Sequence, residues 1–509
     1  MKSTNIIIPI LGGLSAVGCE QKAQEQAIPQ RPNIIWLMAE DMGQDLECYG
    51  MPTVETPNLN RMASQGVQYN KAVCSNPISS PNRSAMMTGI TQVETNSHNH
   101  RSNRNIPIDT LYKPFTYYLR QVGYECILGH HSVRGKGRKT DCNFKHQALG
   151  EWDGVENFGI FDRLDTLGGS DKPFFAQIQL VTTHRGDWWK EVTATSPDPV
   201  NPAEVVLPPF MPDHPKVREE WASYLDQVEF IDSEVGMIFD ELEEKGLLEN
   251  TIVFFIGDNG RCDIRGKGYL YEPGLKIPMI AWGKGIKPTQ EDGLVSVLDI
   301  TATILDLAGL ELPSYYEGAP LFNKHTGEST TSHDEVYSAR DNWDEVVECI
   351  RSVTTDDYKY IRNYMPEQGW DMHQQYLDFH RPAIHVMRTL NKQGKLNAAQ
   401  SAFMAPTKPA EELYDLRNDP DELYNLATDA EYTETLKDMR NRMDKWQAEN
   451  RDMGLEDRNS RNPEVMAPTR EYLQQEKPEK WEYITEGNII DNYKQLRVES
   501  IKHAKKAAR

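Results

Sequence analysis

The sequence predicts an α/β protein: a large sheet between helices, followed by a smaller α+β subdomain. Three observations predict it. Continuous apolar runs of strand length occur at 33–39, 173–180 and 251–256, the mark of strands buried on both faces, and each ends abruptly in polar residues. Between them, Leu225, Val228, Ile231, Val235, Ile238 and Leu242 recur at helical spacing, giving an amphipathic helix closed by Gly246. From about His333 the texture changes, and 351–364 alternates as antiparallel strands do.

With 509 residues the chain can bury a large core and is expected to divide into one large domain and at least one smaller one. Its formal net charge of −22 argues against nucleic acid as a partner, because phosphate backbones need a basic footprint. The same field repels any anionic substrate, so a local group of Arg and Lys must overcome it. Residues 1–19 read as an export signal: Lys2, a short apolar stretch at 6–14, then Ala16-Val17-Gly18-Cys19. This resembles a bacterial lipobox and implies lipidation of Cys19, with the protein exported and held at the outer membrane as a periplasmic or cell-surface lipoprotein. A plain secretory signal is the other reading. Residues 20–31 form a polar tether, and no later stretch is long and apolar enough to cross a membrane. The remaining cysteines show no close CxxC pairing, so neither a zinc site nor a disulfide framework is indicated.

In chain order, the first apolar run stops at Glu40-Asp41, placing carboxylates at the carboxyl end of a buried strand, where open α/β sheets build their sites. Thr56-Pro57 reads as an N-cap and first helical position. Next comes Ser79-Ser80-Pro81-Asn82-Arg83, leading into an apolar helix that ends at Thr88-Gly89. A helix start with a guanidinium four residues after a small hydroxyl is an anion site holding a reactive atom. A short Ser/Pro loop before a core helix is the competing reading. His98, His100, Arg101 and Arg104 follow, able to bind sugar hydroxyls or a second anion, or simply to form an exposed polar loop. Residues 117–128 read as helix then strand and deliver 129–144, which holds His131, Lys139 and Asp141. The run at 173–180 leads to Thr183-His184 and to Trp188 and Trp189, which either stack on a sugar or pack in the core. The run at 251–256 ends in Gly257-Asp258-Asn259-Gly260, oxygen donors suited to a hard cation, or an Asn-Gly turn. Gly266-Lys267-Gly268-Tyr269-Leu270-Tyr271-Glu272-Pro273-Gly274 comes after it, and 298–307 is a helix stopped by Gly309.

Ser79-x-Pro81-x-Arg83 with Thr88-Gly89 resembles the signature of type I sulfatases, in which the leading Ser or Cys is oxidised to formylglycine (3-oxoalanine). Asn82 stands where that family more often has Ser. The segments at 40–41, 258–259, 266–274 and 412–427 resemble further family landmarks, in the family's order. The resemblance implies an alkaline-phosphatase-like fold, with the catalytic α/β domain over 32–332, the α+β subdomain over 333–455 and a polar extension over 456–509. It implies Ca²⁺ held by Glu40, Asp41, Asp258, Asn259 and the oxidised Ser79, Glu40 replacing the commoner Asp. It makes Arg83, Lys139 and Lys267 sulfate-binding residues and gives His184 the leaving-group oxygen. Lys139-Thr140-Asp141-x-Asn143-Phe144 matches one subset of the family at this point, and His131 is the alternative register. A maturation enzyme acting on Ser79 is the implied partner. The implied activity is sulfate-ester hydrolysis on a sulfated polysaccharide or its oligosaccharides, such as ulvan, carrageenan or glycosaminoglycan. An N-sulfoglucosamine sulfamidase, a same-fold phosphoester or phosphonate hydrolase, and an inactive sugar-binding lipoprotein are the alternatives.

Overall fold

The computed structural model describes Met1 and residues 28–154, 157–186, 188–330, 333–344, 346–371 and 374–456. The signal segment from residue 2, with Cys19, the tether up to residue 27 and the extension from residue 457 lie outside the described residues. In chain order the first strands are β1 (Asn33–Ala39), β2 (Val67–Val73), β3 (Glu125–Leu128), β4 (Gln147–Leu149), β5 (Gly159–Phe161) and β6 (Arg163–Leu164). They are followed by β7 (Phe174–Leu180), β8 (Thr251–Gly257), β9 (Lys276–Ile277), β10 (Met279–Gly283) and β11 (Thr289–Ser296). Nine of them make one sheet in the order β11-β2-β10-β8-β1-β7-β3-β6, with β9 beside β2, while β4 and β5 pair separately.

The sheet is mixed in a way that concentrates strand ends. β1 runs parallel to both β7 and β8, and β3 runs parallel to β7. β10 is antiparallel to β8 and to β2, so two reversals return β2 to the direction of β8. The carboxyl ends of β1, β2, β3, β7 and β8 therefore share one edge, and the loops leaving them meet there.

Alternation along β1 explains why all its residues are apolar after Asn33. Ile35, Leu37 and Ala39 face a core shared with Leu225, Val228, Ile231, Val235 and Ile238 of the helix Pro215–Glu244. Ile34, Trp36 and Met38 face a second core with Met86, Met87, Phe115 and Ile304. Helices thus cover both faces of the sheet, the architecture that the sequence predicts.

A second, antiparallel sheet consists of β12 (Val336–Arg340), β13 (Ile350–Thr354), β14 (Tyr358–Asn363) and β15 (Glu411–Asp415), in that order. The helix Thr433–Glu449 lays Leu436, Met439, Met443 and Trp446 against it. Between β14 and β15 the chain makes the helices Gln375–His380, Pro382–Lys392 and Ala398–Phe403, whose apolar residues join the core of the long helix. Ala383 N–H donates to Glu220 on that helix at 3.0 Å. This excursion carries Tyr376 to the edge where the strand ends meet.

One expected cap differs. The helix Pro57–Gln65 does begin after Thr56, yet the Thr56 hydroxyl accepts from Glu47 N–H instead. Asp232 of the long helix caps it, accepting from Asn58 N (3.2 Å) and Leu59 N (2.7 Å), a tertiary substitute for a local cap.

Gly260 shows how tightly the edge is packed. Its N–H donates to Gly274 O at 2.9 Å, and a Cβ there would lie 2.0 Å from Pro273 O. Gly260→Ala must separate the 258–260 loop from the 266–275 loop, at or above the upper end of the about 1–3 kcal/mol of ordinary overpacking. Its thermal midpoint is expected to fall together with its activity in a melting scan of the purified variant.

Candidate active site

Each strand end contributes one part. After β1, Glu40 and Asp41 are almost fully buried, and Asp41 adopts a left-handed backbone conformation (φ 50°) that turns its side chain into the edge. After β8, Asp258 and Asn259 are fully buried. After β2, the chain enters the helix Ser79–Thr88, whose first turn holds Ser79 at 2 % exposure.

Hydrogen bonds join these parts into one cluster. Ser79 Oγ donates to Asn259 Oδ1 at 3.0 Å, and Asn259 Nδ2 donates to Asp41 Oδ1 at 3.0 Å. Asp41 N–H donates to Asp258 Oδ1 at 2.9 Å. Arg83 reaches Asp258 Oδ2 with Nε (3.1 Å) and Nη2 (3.0 Å), and Nη2 also donates to Gln179 Oε1. Asn82, the departure from the family pattern, is fully buried and structural: it accepts from Ser75 N (3.0 Å) and donates to Asp258 O (2.7 Å).

Two lysines complete it. Lys267 Nζ lies 2.7 and 2.9 Å from the Asp41 carboxylate, and Lys139 Nζ lies 2.7 Å from Glu40 Oε2. Burial alone would raise the pKa of both acids. Lys267 and His184 nonetheless hold Asp41 below the usual carboxylate range, and Lys139, His184 and Arg83 do so for Glu40. Three buried carboxylates thus face three cations.

His184 Nε2 stands 3.8 Å from Glu40 and 3.9 Å from Asp41, with Tyr376 Oη 3.4 Å away and the Trp188 ring stacked at 6.3 Å. Burial pushes its pKa down, and the Asp41 and Glu40 carboxylates only partly oppose that. Trp189 is instead a packing residue, its indole N–H donating to the carbonyls of Thr182 and His184.

Along the rim, Asp141 is buried and accepts from Arg101 at 3.0 and 3.2 Å and from Arg104, with Lys139 at 3.6 Å. The two arginine side chains are 43 % and 45 % exposed, so their outer faces are open to a ligand. His100 is buried with its edge on Trp343; burial and then Arg101 push its pKa well below the usual histidine value.

Two expected residues lie elsewhere. His98 is buried with its Nε2 3.3 Å from the Asn99 amide and lies within electrostatic reach of Asp452. His131 is not in the cluster: it pairs with Glu241 at 3.4 Å on the long helix, and Lys139 takes the position beside Glu40. Sequence reasoning also missed Gln177 and Gln179, which hold Lys139 O (3.0 Å) and Arg83. Their polarity inside an otherwise apolar strand was the available signal. Tyr376 gave none, being an aromatic outside any motif, in a short helix far along the chain.

The donor set of Glu40, Asp41, Asp258, Asn259 and Ser79 is all oxygen, with no thiol, and fits a hard divalent cation such as Ca²⁺. The family typically uses such an ion.

Comparison with known proteins identifies the family. The sulfatase family model matches residues 32–310, and the model described as "N-sulphoglucosamine sulphohydrolase, C-terminal" matches 259–393. An "Ulvan-active sulfatase" of Formosa agariphila is 30 % identical over 471 residues, covering 84 % of this chain and 76 % of the relative. The human "N-sulphoglucosamine sulphohydrolase" is 25 % identical over 475 residues, covering 82 % and 90 %. The phosphonate monoester hydrolase of Agrobacterium radiobacter shares the fold, with a TM-score of 0.58 at 15 % identity over 82 % of this chain and 96 % of that one. With its strand ends gathering these residues and the family model spanning the whole large sheet, the chain belongs to the sulfatase family, enzymes that hydrolyse sulfuric esters.

Proposed function

We propose that this sulfatase acts on a sulfated carbohydrate that carries a further negative charge, with Ser79 oxidised to formylglycine as its working group. One observation carries the reading: Ser79, Arg83, Asp41, Asp258 and Lys267, from four separate stretches, meet in a single buried cluster. The names of the relatives, one ulvan-active and one an N-sulphoglucosamine sulphohydrolase, support a sulfated sugar. The open faces of Arg101 and Arg104 support the second charge, since guanidinium forks bind carboxylate or sulfate.

A maturation enzyme would supply the oxidation of Ser79, and an export signal ending at Cys19 would put the enzyme at the cell surface, where polysaccharide is met. When Ca²⁺ is bound by the oxygen donors, it supplies Lewis-acid charge to sulfate oxygens. Arg83, fixed by Asp258 and Gln179, holds its guanidinium beside the first turn that presents residue 79. Lys139 and Lys267 bring ammonium groups that can neutralise sulfate oxygens as charge builds toward the leaving alcohol. His184, held between Tyr376 and Trp188, offers a ring nitrogen to the leaving oxygen.

The match of residues 259–393 to the sulphoglucosamine sulphohydrolase model favours a second reading, cleavage of an N-sulfate. Turnover of N-sulfated against O-sulfated glucosamine separates the two. A same-fold phosphonate hydrolase would turn over phosphoesters faster than either.

Peptide mass spectrometry of protein from its native host should find the Ser79 peptide lighter by two hydrogens. Ser79→Ala should lose at least about a thousandfold in kcat; an unmodified Ser79 in a fully active enzyme would refute the formylglycine reading. Chelation of calcium should abolish turnover and its restoration recover it, while Mg²⁺, which demands tighter octahedral geometry, recovers less. Arg101→Gln should raise KM about tenfold, with kcat little changed, on substrates bearing a second anion, and leave singly charged substrates unaffected. Steady-state kinetics on paired oligosaccharides measures this.

A further inference from the structure

Away from the active cluster, the loop after β3 presents a second group of ligand-type side chains. His130 is fully buried, His131 is more than half exposed, and both aim Nε2 at one oxygen of Glu241, on the last turn of the helix Pro215–Glu244. The Nε2 to Oε2 separations are 3.1 and 3.4 Å, and the ligand atoms of all three residues lie within 4.8 Å of one another. A tetrahedral zinc ion with bonds of about 2.0–2.1 Å has ligand-to-ligand edges of about 3.3 Å. The two imidazole-to-carboxylate separations sit at that edge length.

The surroundings orient the same atoms. Ser132 Oγ lies 2.6 Å from His130 Nδ1 and the Ser132 N–H donates to the same nitrogen at 3.3 Å, which fixes the ring with Nε2 toward Glu241. Lys245 holds the other carboxylate oxygen, Oε1, at 2.7 Å and donates onward to Leu167 O at 3.1 Å, so Oε2 is the oxygen turned to the rings. The rings are nearly stacked, 4.6 Å apart at 30°, and His131 faces solvent, which gives an ion an entry path and a water for its fourth position.

We propose that His130, His131 and Glu241 bind a divalent transition metal of the zinc type, clamping the loop that carries Lys139 to the long helix. Two imidazoles and one carboxylate suit zinc and exclude the calcium expected of the all-oxygen cluster. The loop is one that gains from a clamp. It takes left-handed conformations at Gly129, Gly135, Lys136 and Gly137, and it has to return Lys139 to Glu40. His130 N–H to Lys136 O, at 2.9 Å, joins the metal-bearing and lysine-bearing parts of the loop.

The test uses the full chain, stripped of metal and resupplied with Ca²⁺, and reads binding directly. Calorimetric titration with ZnCl₂ should give one zinc per chain, bound at least tenfold more tightly than by His131→Ala or Glu241→Gln. His131 is exposed and the Glu241 change keeps shape, so both variants should fold. Co²⁺ should give the intense visible absorption of a four-coordinate ion in the wild type and lose it in both variants. Amide exchange over 129–139 should slow on zinc addition in the wild type alone. Equal zinc affinity in all three proteins, or only the weak absorption of six-coordinate Co²⁺, overturns the proposal and leaves an imidazole–carboxylate pair. Neither result depends on sulfatase activity.

Discussion

Asp258 is the residue through which the site is assembled. One carboxylate oxygen accepts the Asp41 N–H after β1, the other accepts two N–H groups of Arg83 from the Ser79 helix, and its own carbonyl accepts from Asn82. Three pieces of chain distant in sequence are thereby fixed relative to one another by a single buried side chain and its peptide. Removing one partner of such a buried pair costs about 3–5 kcal/mol, because the other charge is left without compensation. The helix that presents Ser79 therefore cannot shift independently of the strand ends beneath it.

The electrostatics follow from the same packing. A chain of net charge −22 must bind an anion, and it does so where cations are concentrated on buried acids. Lys267, Lys139 and Arg83 each sit on a carboxylate, of Asp41, Glu40 and Asp258 respectively. A divalent cation shared among those acids and a sulfate shared among those bases would relieve each other, so the two ligands are expected to bind as a linked pair. Glu40, one methylene longer than the commoner aspartate, is the acid that reaches Lys139.

Much of this was legible in the sequence because the site is made of strand ends. A run of buried residues that stops at polar residues announces both a strand and what it delivers, which marked Glu40, Asp41, Asp258 and Asn259 as strand-end groups, while the family resemblance tied them to one another and to His184. The helix start at Ser79 was equally plain. What escaped were relations between segments. Asn82 looked like a departure from a motif, whereas its amide bridges Ser75 and Asp258. Tyr376 reaches His184 only because the helices between β14 and β15 pack on Pro215–Glu244. Thr56 had the right residue type for a cap, but Asp232 supplied it from another helix. His98 and His100 are near neighbours in sequence, yet one lies within electrostatic reach of Asp452 and the other sets its edge on Trp343, which spacing in a loop does not encode.

Linkage between calcium and sulfate tests the central claim most directly, because it probes the shared cluster without needing the natural substrate. Calcium affinity measured by calorimetry at constant ionic strength, with and without inorganic sulfate, should rise about tenfold when sulfate is present. Calcium affinity indifferent to sulfate would mean that the acids and bases of this cluster do not exchange partners, and the account would fail.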